Sequence, residues 1–285
     1  MELWLLLGIL SYLSFAISTT IDKDMMNRQY GALRTNTIKM FLDGVILLAI
    51  GFLFFELKFT FNVLLGALLL GGTYALAGVL YFKSLKLKDV ATIAPFMISS
   101  IILFVFLGSV FLLNETVNAL NYAGVFLIVG GIYLILSEKS FSIPRPDKGL
   151  ILAVFMVILV VFGSLLTKIL LFNAEPITLG VLMYFSSALF LLAYNIIFRK
   201  ASLKTPGYFK QGFKRIFAAS FFGALATALL FLALSIEDAS KVYPLGGIQS
   251  VFIFAIAVLF LKEKFYGHKL LGILIVFAGV FLVGI

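Results

Sequence analysis

Ten long apolar runs, separated by short polar connections, set the terms for any fold of this chain. They cover Leu3–Ile21, Gly31–Phe55, Asn62–Phe82, Val90–Leu113, Val117–Leu136, Gly149–Phe172, Pro176–Phe198, Gly212–Ile236, Ser240–Leu261 and Phe265–Ile285. Each is about 19–25 residues, close to the ~20 that an α-helix needs to cross ~30 Å of hydrocarbon at 1.5 Å per residue. Inside a bilayer a run of this length must satisfy its own backbone hydrogen bonds, which a helix does. Composition agrees. Of 285 residues 62% are hydrophobic and 12% charged, with a mean hydropathy of +1.16, whereas a water-soluble domain is roughly a quarter charged. The expected fold class is an all-α membrane protein with ten transmembrane helices. The first run opens with acidic Glu2, lacks a basic leader and shows no small-residue cleavage site, so it reads as a retained helix rather than a signal peptide.

The clearest seam is the polar stretch SEKSFSIPRPDKG, Ser137 to Gly149, which holds two of the six prolines. It divides the chain into a first five-helix unit over 1–137, a linker over 138–148 and a second five-helix unit over 149–285. The units share a pattern. DVATIAPF begins at Asp89 and DASKVYPL at Asp238, each an aspartate six residues ahead of a proline that opens an apolar run. After a one-residue gap Glu115 aligns with Glu263, Gly124 with Gly272 and Gly131 with Gly279. Proline, glutamate and glycine agreeing together mark an internal repeat. Five crossings return the chain to the opposite side of the membrane, so the second copy enters upside down. Two inverted five-helix repeats are an architecture of secondary transporters, in which the symmetry underlies alternating access.

On these residues the chain resembles the EamA family of the drug/metabolite transporter superfamily. The resemblance rests on the ten helices in two halves, Asp89/Pro95 and Asp238/Pro244, Glu115 and Glu263, and the glycine-rich last helix of each half. It implies a transporter of amino acids, sugars, nucleotide-linked metabolites or drugs. It also implies a central cavity walled by helices 1, 3, 4, 6, 8 and 9, with helices 5 and 10 outside. Where such proteins often carry an arginine in the second helix this chain has Lys39, and the matching position in the seventh helix is Tyr184.

The net charge of +9 is informative through its placement. The connections after helices 1, 3, 5, 7 and 9 hold 18 of the 22 Lys and Arg residues; Lys58, Lys168 and Lys241 lie on the other side and Lys39 lies within a helix. The positive-inside rule puts the basic connections in the cytoplasm and both termini outside a cell membrane. Scattered over five short loops, these charges do not form a nucleic-acid surface.

Lys39 and Asp43 are four apart in the second helix and share a face. A charge at mid-bilayer costs about 2.5–3.5 kcal/mol on insertion scales and therefore seeks a partner in the bundle interior. Three readings stand: a self-neutralising structural pair, a contact for a substrate carboxylate or phosphate with Asp43 restraining or proton-coupling Lys39, and a lysine reaching for the interface. Pro95 and Pro244 would loosen the first turns of helices 4 and 9 and free backbone groups for a solute, or simply kink the helix. Tyr12, Ser14, Tyr74, Tyr81, Ser99, Tyr184, Tyr243 and Gln249 are further candidate solute contacts, each also readable as interhelical packing or an interfacial aromatic.

Enzyme chemistry finds little support. The chain has one histidine and no cysteine, so it offers no evident metal cluster, and no P-loop is present. Asp43 reads as the only mid-span acid, which leaves no paired carboxylate site within the membrane. No cofactor is expected. The reading is a secondary transporter of a small polar, amino acid-like or other organic solute, working as an exporter, as a monomer or weak dimer, and coupled to the solute's own gradient or to protons or another ion. A flippase for a lipid-linked substrate and a non-transporting scaffold or receptor are the alternatives.

Overall fold

The computed structural model describes residues 2–115, 118–136, 146–198, 206–262, 264 and 266–284. Among them are ten helices and no strand: α1 (Leu3–Asn27), α2 (Ala32–Phe54), α3 (Phe61–Leu87), α4 (Val90–Leu112), α5 (Ala119–Leu136), α6 (Lys148–Leu171), α7 (Pro176–Phe198), α8 (Pro206–Ile236), α9 (Ala239–Phe260) and α10 (Gly267–Gly284). Eight are long and apolar enough to cross a membrane, while α5 and α10 are shorter apolar helices. Glu263 and most of the expected 138–148 linker lie outside the described residues.

Helix starts follow local chemistry. Asn118 accepts the N–H groups of Leu120 and Asn121 ahead of α5, and Asp147 accepts that of Leu150 at the start of α6. Glu175 accepts those of Ile177 and Thr178 at the start of α7. α7 and α8 each begin on a proline, whose missing N–H is no loss in a first turn. The helices do not stop where the apolar runs stop. α1 continues to Asn27, α3 to Leu87, and α8 begins at Pro206, each more than a turn beyond its run. Hydropathy falls at the first charge, but in α1 the helix persists, with Asp22, Lys23, Met25 and Met26 buried against neighbours.

The two halves are related by a pseudo-two-fold axis, visible in paired contacts. α1 packs on α8 and α6 on α3; α1 meets α9 and α6 meets α4; α5 and α10 pack on each other. A Cβ built on Gly131 would lie 2.6 Å from the carbonyl oxygen of Gly272, and one on Gly279 would lie 2.6 Å from that of Gly124. Exchanging the halves converts one contact into the other, and the crossed order requires antiparallel helices.

Two lysines repeat the relation. Lys23 donates to the carbonyls of Leu85 (2.9 Å) and Lys88 (2.6 Å) at the end of α3. Lys168 donates to those of Leu234 (2.9 Å) and Glu237 (2.8 Å) at the end of α8. Each buried lysine of a first helix satisfies the orphan carbonyls of the third helix in its own half, immediately before the repeated aspartate. Both belong to the Lys and Arg residues whose placement marks the two sides of the membrane, yet neither is a loop residue.

The glutamate of the repeat also has a role. Glu115 accepts the N–H of Ser240 at 3.0 Å and so caps the start of α9, across the boundary between halves. The repeated prolines diverge. α4 runs through Pro95 without interruption, while α9 is segmented, with α-helix over Ala239–Val242, a 3-10 turn over Tyr243–Leu245 containing Pro244, and α-helix again from Gly246. The expected loosening is present in α9 only.

Buried apolar side chains gather in two clusters. One, including Met25, Phe82, Leu85, Ala153 and Ala219, lies where α1 and α3 end and α6 and α8 begin. The other, including Leu47, Val63, Leu70, Ile177 and Leu234, lies at the opposite ends of those helices.

Candidate functional site

A cavity lies between the two clusters, in two adjoining lobes of about 260 and 240 Å³ that share Phe15, Thr19, Tyr74, Tyr81, Leu230 and Phe231 among their lining residues. Helical periodicity explains the wall. α1 contributes Tyr12, Phe15, Thr19 and Asp22; α2 contributes Asn36, Lys39, Met40 and Asp43; α4 contributes Ala94, Met97, Ile98 and Ile101. Each set recurs at three or four residues, one face of a helix. All of α1–α4 and α6–α9 reach the cavity, so α2 and α7 join the six helices anticipated, with α5 and α10 outside.

The charged centre lies in the first lobe. Lys39 Nζ is 3.3 Å from Asp43 Oδ2 and bonds Ser18 Oγ at 3.2 Å and the Ala219 carbonyl at 3.3 Å. Both members of the pair are buried, so the lysine turns into the bundle rather than toward the interface. Gly223 makes room for them, since a Cβ there would sit 2.7 Å from Lys39 Nζ and 3.2 Å from Asp43 Oδ2. Desolvating two charges is expensive and their attraction offsets it only with good additional hydrogen bonds, so the pair holds position more than it adds stability. Tyr184 shares a 2.6 Å hydrogen bond with Thr227 on the same wall.

Asp22 corrects the sequence reading. By sequence it lies beyond the first membrane run, and Asp43 is the only mid-span acid. The extension of α1 carries Asp22 into the cavity, 3% exposed, with its Oδ2 accepting from the Tyr81 hydroxyl at 3.3 Å. Two carboxylates therefore line the lobe that holds Lys39.

Of the candidate contacts, Lys39, Asp43, Tyr74, Tyr81 and Tyr184 line the first lobe, and Tyr12, Tyr74, Tyr81, Tyr243 and Gln249 the second. Ser14, Pro95 and Ser99 are buried but off the cavity wall. Ser14 misses the 12-15-19-22 stripe of α1, and its hydroxyl bonds the Leu10 carbonyl at 2.8 Å; Pro95 and Ser99 stand one position past the α4 stripe. Sequence reasoning missed Ser18, Asp22, Asn36 and Thr227. The spacing from Tyr12 to Asp22 held the signal for Asp22, had the helix been drawn past the apolar run. Among the described residues no three His, Asp or Glu side chains gather as a metal site.

A family model, the EamA-like transporter family, matches residues 2–137 and 147–285, one match on each half. No curated protein sequence matches the chain. A solved crystal structure of another protein is similar over 98% of this chain and 95% of its own, with a TM-score of 0.71 and 16% sequence identity. At that identity the likeness shows the fold alone.

Proposed function

We propose, for a chain that belongs to the EamA-like transporter family, that it is a secondary active transporter which moves a small polar organic solute across the cell membrane by alternating access. The observation that carries this reading is the cavity with its buried charged pair, placed between two inverted halves and flanked at each end by an apolar cluster. Parting one cluster opens the cavity to one side of the membrane; the related motion of the other half opens it to the opposite side. The near-symmetry of the halves gives the two states similar energies, and a solute gradient or a coupled ion then sets the direction. Outward transport is the direction we assign, on the family resemblance. The excess of Lys and Arg in the connections after α1, α3, α5, α7 and α9 supports a cytoplasmic location for that face, with both termini outside.

Lys39, Asp43, Tyr12, Tyr74, Tyr81, Tyr184, Tyr243 and Gln249 form the polar lining we assign to solute contact. The test is counterflow in proteoliposomes, with candidate amino acids, sugars and nucleotides selected by thermal shift. A labelled solute that exchanges against its unlabelled form, and whose stabilisation is lost in Lys39→Ala, supports the assignment. Failure of every solute to exchange with purified, folded protein overturns the transport reading.

A further inference from the structure

A further cavity, of about 280 Å³, opens on the outer surface of the bundle, between Trp4 and Leu5 of α1, Leu245 and Ile248 of α9, and Phe277 and Phe281 of α10. Phe277 and Phe281 are exposed, as are Leu3, Leu6 and Leu10 beside them on α1, so its mouth meets hydrocarbon. Its lining is apolar apart from the indole N–H of Trp4, and that N–H donates to the Glu2 carboxylate. Water in such a space finds no partners, and an empty one forfeits dispersion contacts along its walls; a hydrocarbon chain fills it without either cost. The space backs onto the segmented part of α9. Pro244, Leu245 and Ile248 face it, while Tyr243, Gly246 and Gln249 face the second lobe of the central cavity, so one helix separates the two. Leu245 is seated against α1 at Gly8, where a Cβ would collide with it, and a Cβ on Gly247 would lie 3.0 Å from Val280 Cγ1 of α10. The polar rim carries charges of both signs. Lys241, one turn before Pro244, pairs with Glu237 at 3.1 Å, and the charges of Asp238 and Glu2 also bear on it. The neighbouring Lys168 ammonium is committed to the carbonyls of Leu234 and Glu237. Trp4, near the start of α1, stands at the depth where indoles favour the headgroup region.

We propose that this is a phospholipid site: the pocket takes an acyl chain from the leaflet on the side where α1 starts, and its rim takes a zwitterionic phosphoethanolamine headgroup. The phosphate meets the Lys241 ammonium and the ethanolamine ammonium meets Glu2 or Glu237, charge-assisted contacts of both signs. An anionic headgroup on the same chain meets Lys241 but is repelled by Glu2, Glu237 and Asp238. The lipid is not the transported solute, and its site stands apart from the transport reading. A chain held against Pro244, Leu245 and Ile248 braces the 3-10 turn, whose hydrogen-bond geometry is poorer than that of an α-helix. It thereby steadies Tyr243 and Gln249 on the cavity side of the same helix.

Trp4 is the only tryptophan of the chain, so its fluorescence reports on the pocket without engineering. The probe is dibromostearoyl phosphatidylethanolamine, whose bromines quench tryptophan on contact, present as a minor component of a phosphatidylglycerol bilayer that holds the purified protein. Quenching is expected to be several times larger than the mole fraction of brominated lipid, and to be reversed by unbrominated phosphatidylethanolamine. In the converse arrangement, brominated phosphatidylglycerol as the minor component of a phosphatidylethanolamine bilayer should quench no more than its mole fraction. The double variant Leu5→Phe/Ile248→Phe fills the pocket without adding a tryptophan, and should bring quenching by the brominated phosphatidylethanolamine down to its mole fraction. Leu10→Phe, on the exposed face of α1 outside the pocket, should leave it at the wild-type level. Quenching at the mole fraction in the wild-type protein, equal quenching in the two bilayer arrangements, or undiminished quenching in the pocket-filled variant overturns the proposal. The first two outcomes are read on the wild-type protein and do not depend on a variant folding. None of them bears on solute exchange, which counterflow tests separately.

Discussion

Neighbouring glycines on α3 should respond oppositely to alanine. At Gly71 an added Cβ would lie 2.3 Å from Ser186 Cβ, 2.8 Å from Ser187 N and 2.9 Å from Ser186 C. Two of these are backbone atoms of α7 and cannot rotate aside. Carbon atoms prefer about 3.5–4.0 Å, so α7 must retreat from α3 by roughly 1 Å. Overpacking of this kind costs about 1–3 kcal/mol. The retreat also stretches the 2.9 Å hydrogen bond from Ser187 Oγ to the Gly71 carbonyl, worth about 1 kcal/mol. Against this, alanine gains at most ~1 kcal/mol over glycine in helix propensity. The net expectation for Gly71→Ala is a loss of roughly 1–3 kcal/mol, a fall in Tm of several degrees at ~2–4 °C per kcal/mol.

At Gly72 the nearest atoms are ring carbons of Phe190 at 3.4 Å and beyond, an ordinary contact with a partly exposed side chain. Gly72→Ala should therefore be neutral or stabilising by up to ~1 kcal/mol. Intrinsic-fluorescence melting of the two detergent-solubilised variants decides the matter. Equal melting temperatures, or a Gly71→Ala variant that melts above wild type, would show that α3 and α7 do not approach as closely as described.

Lys168→Met leaves the Leu234 and Glu237 carbonyls without their buried donor. Hydrogen bonds to charged groups contribute about 1.5–3 kcal/mol each, so its melting temperature should fall well below that of Lys241→Met, which removes an exposed i,i+4 pair worth at most ~0.5 kcal/mol. Lys23→Met, at the related position, should fall comparably, and a neutral result in either buried variant would refute the shared role. Glu115→Ala should lose about 1 kcal/mol of α9 capping and Glu115→Gln should recover most of it, with indistinguishable melting of all three proteins counting against the cap. Because the chain has no cysteine, single cysteines report topology without background. Glu56→Cys should react with a membrane-impermeant maleimide in intact cells and Lys264→Cys only after permeabilisation, and the reverse pattern would invert the proposed orientation.

Much of the architecture was legible in one dimension. Ten apolar runs announce ten helices, since a lipid solvent leaves few other ways to satisfy a backbone. The repeated Asp89/Pro95 and Asp238/Pro244 motif, with an odd number of crossings, implies inverted halves before any coordinate is known. Lys39 and Asp43 stood out because charge is rare and costly in such a setting. Ser14, Pro95 and Ser99 did not join them on the cavity wall, because a polar label carries no azimuth; a shift of one residue turns a side chain by about 100° around the helix.

Sequence alone therefore determined the helix count, the duplication and the chemical types available to the interior, all of which follow from local composition and spacing. Tertiary structure alone decided that Asp22 enters the cavity, that Lys23 and Lys168 satisfy the ends of α3 and α8, and that Glu115 caps a helix of the opposite half. Those outcomes depend on which faces meet, and helices distant in sequence choose their facing partners by close packing and by the demand that each buried polar group find a partner.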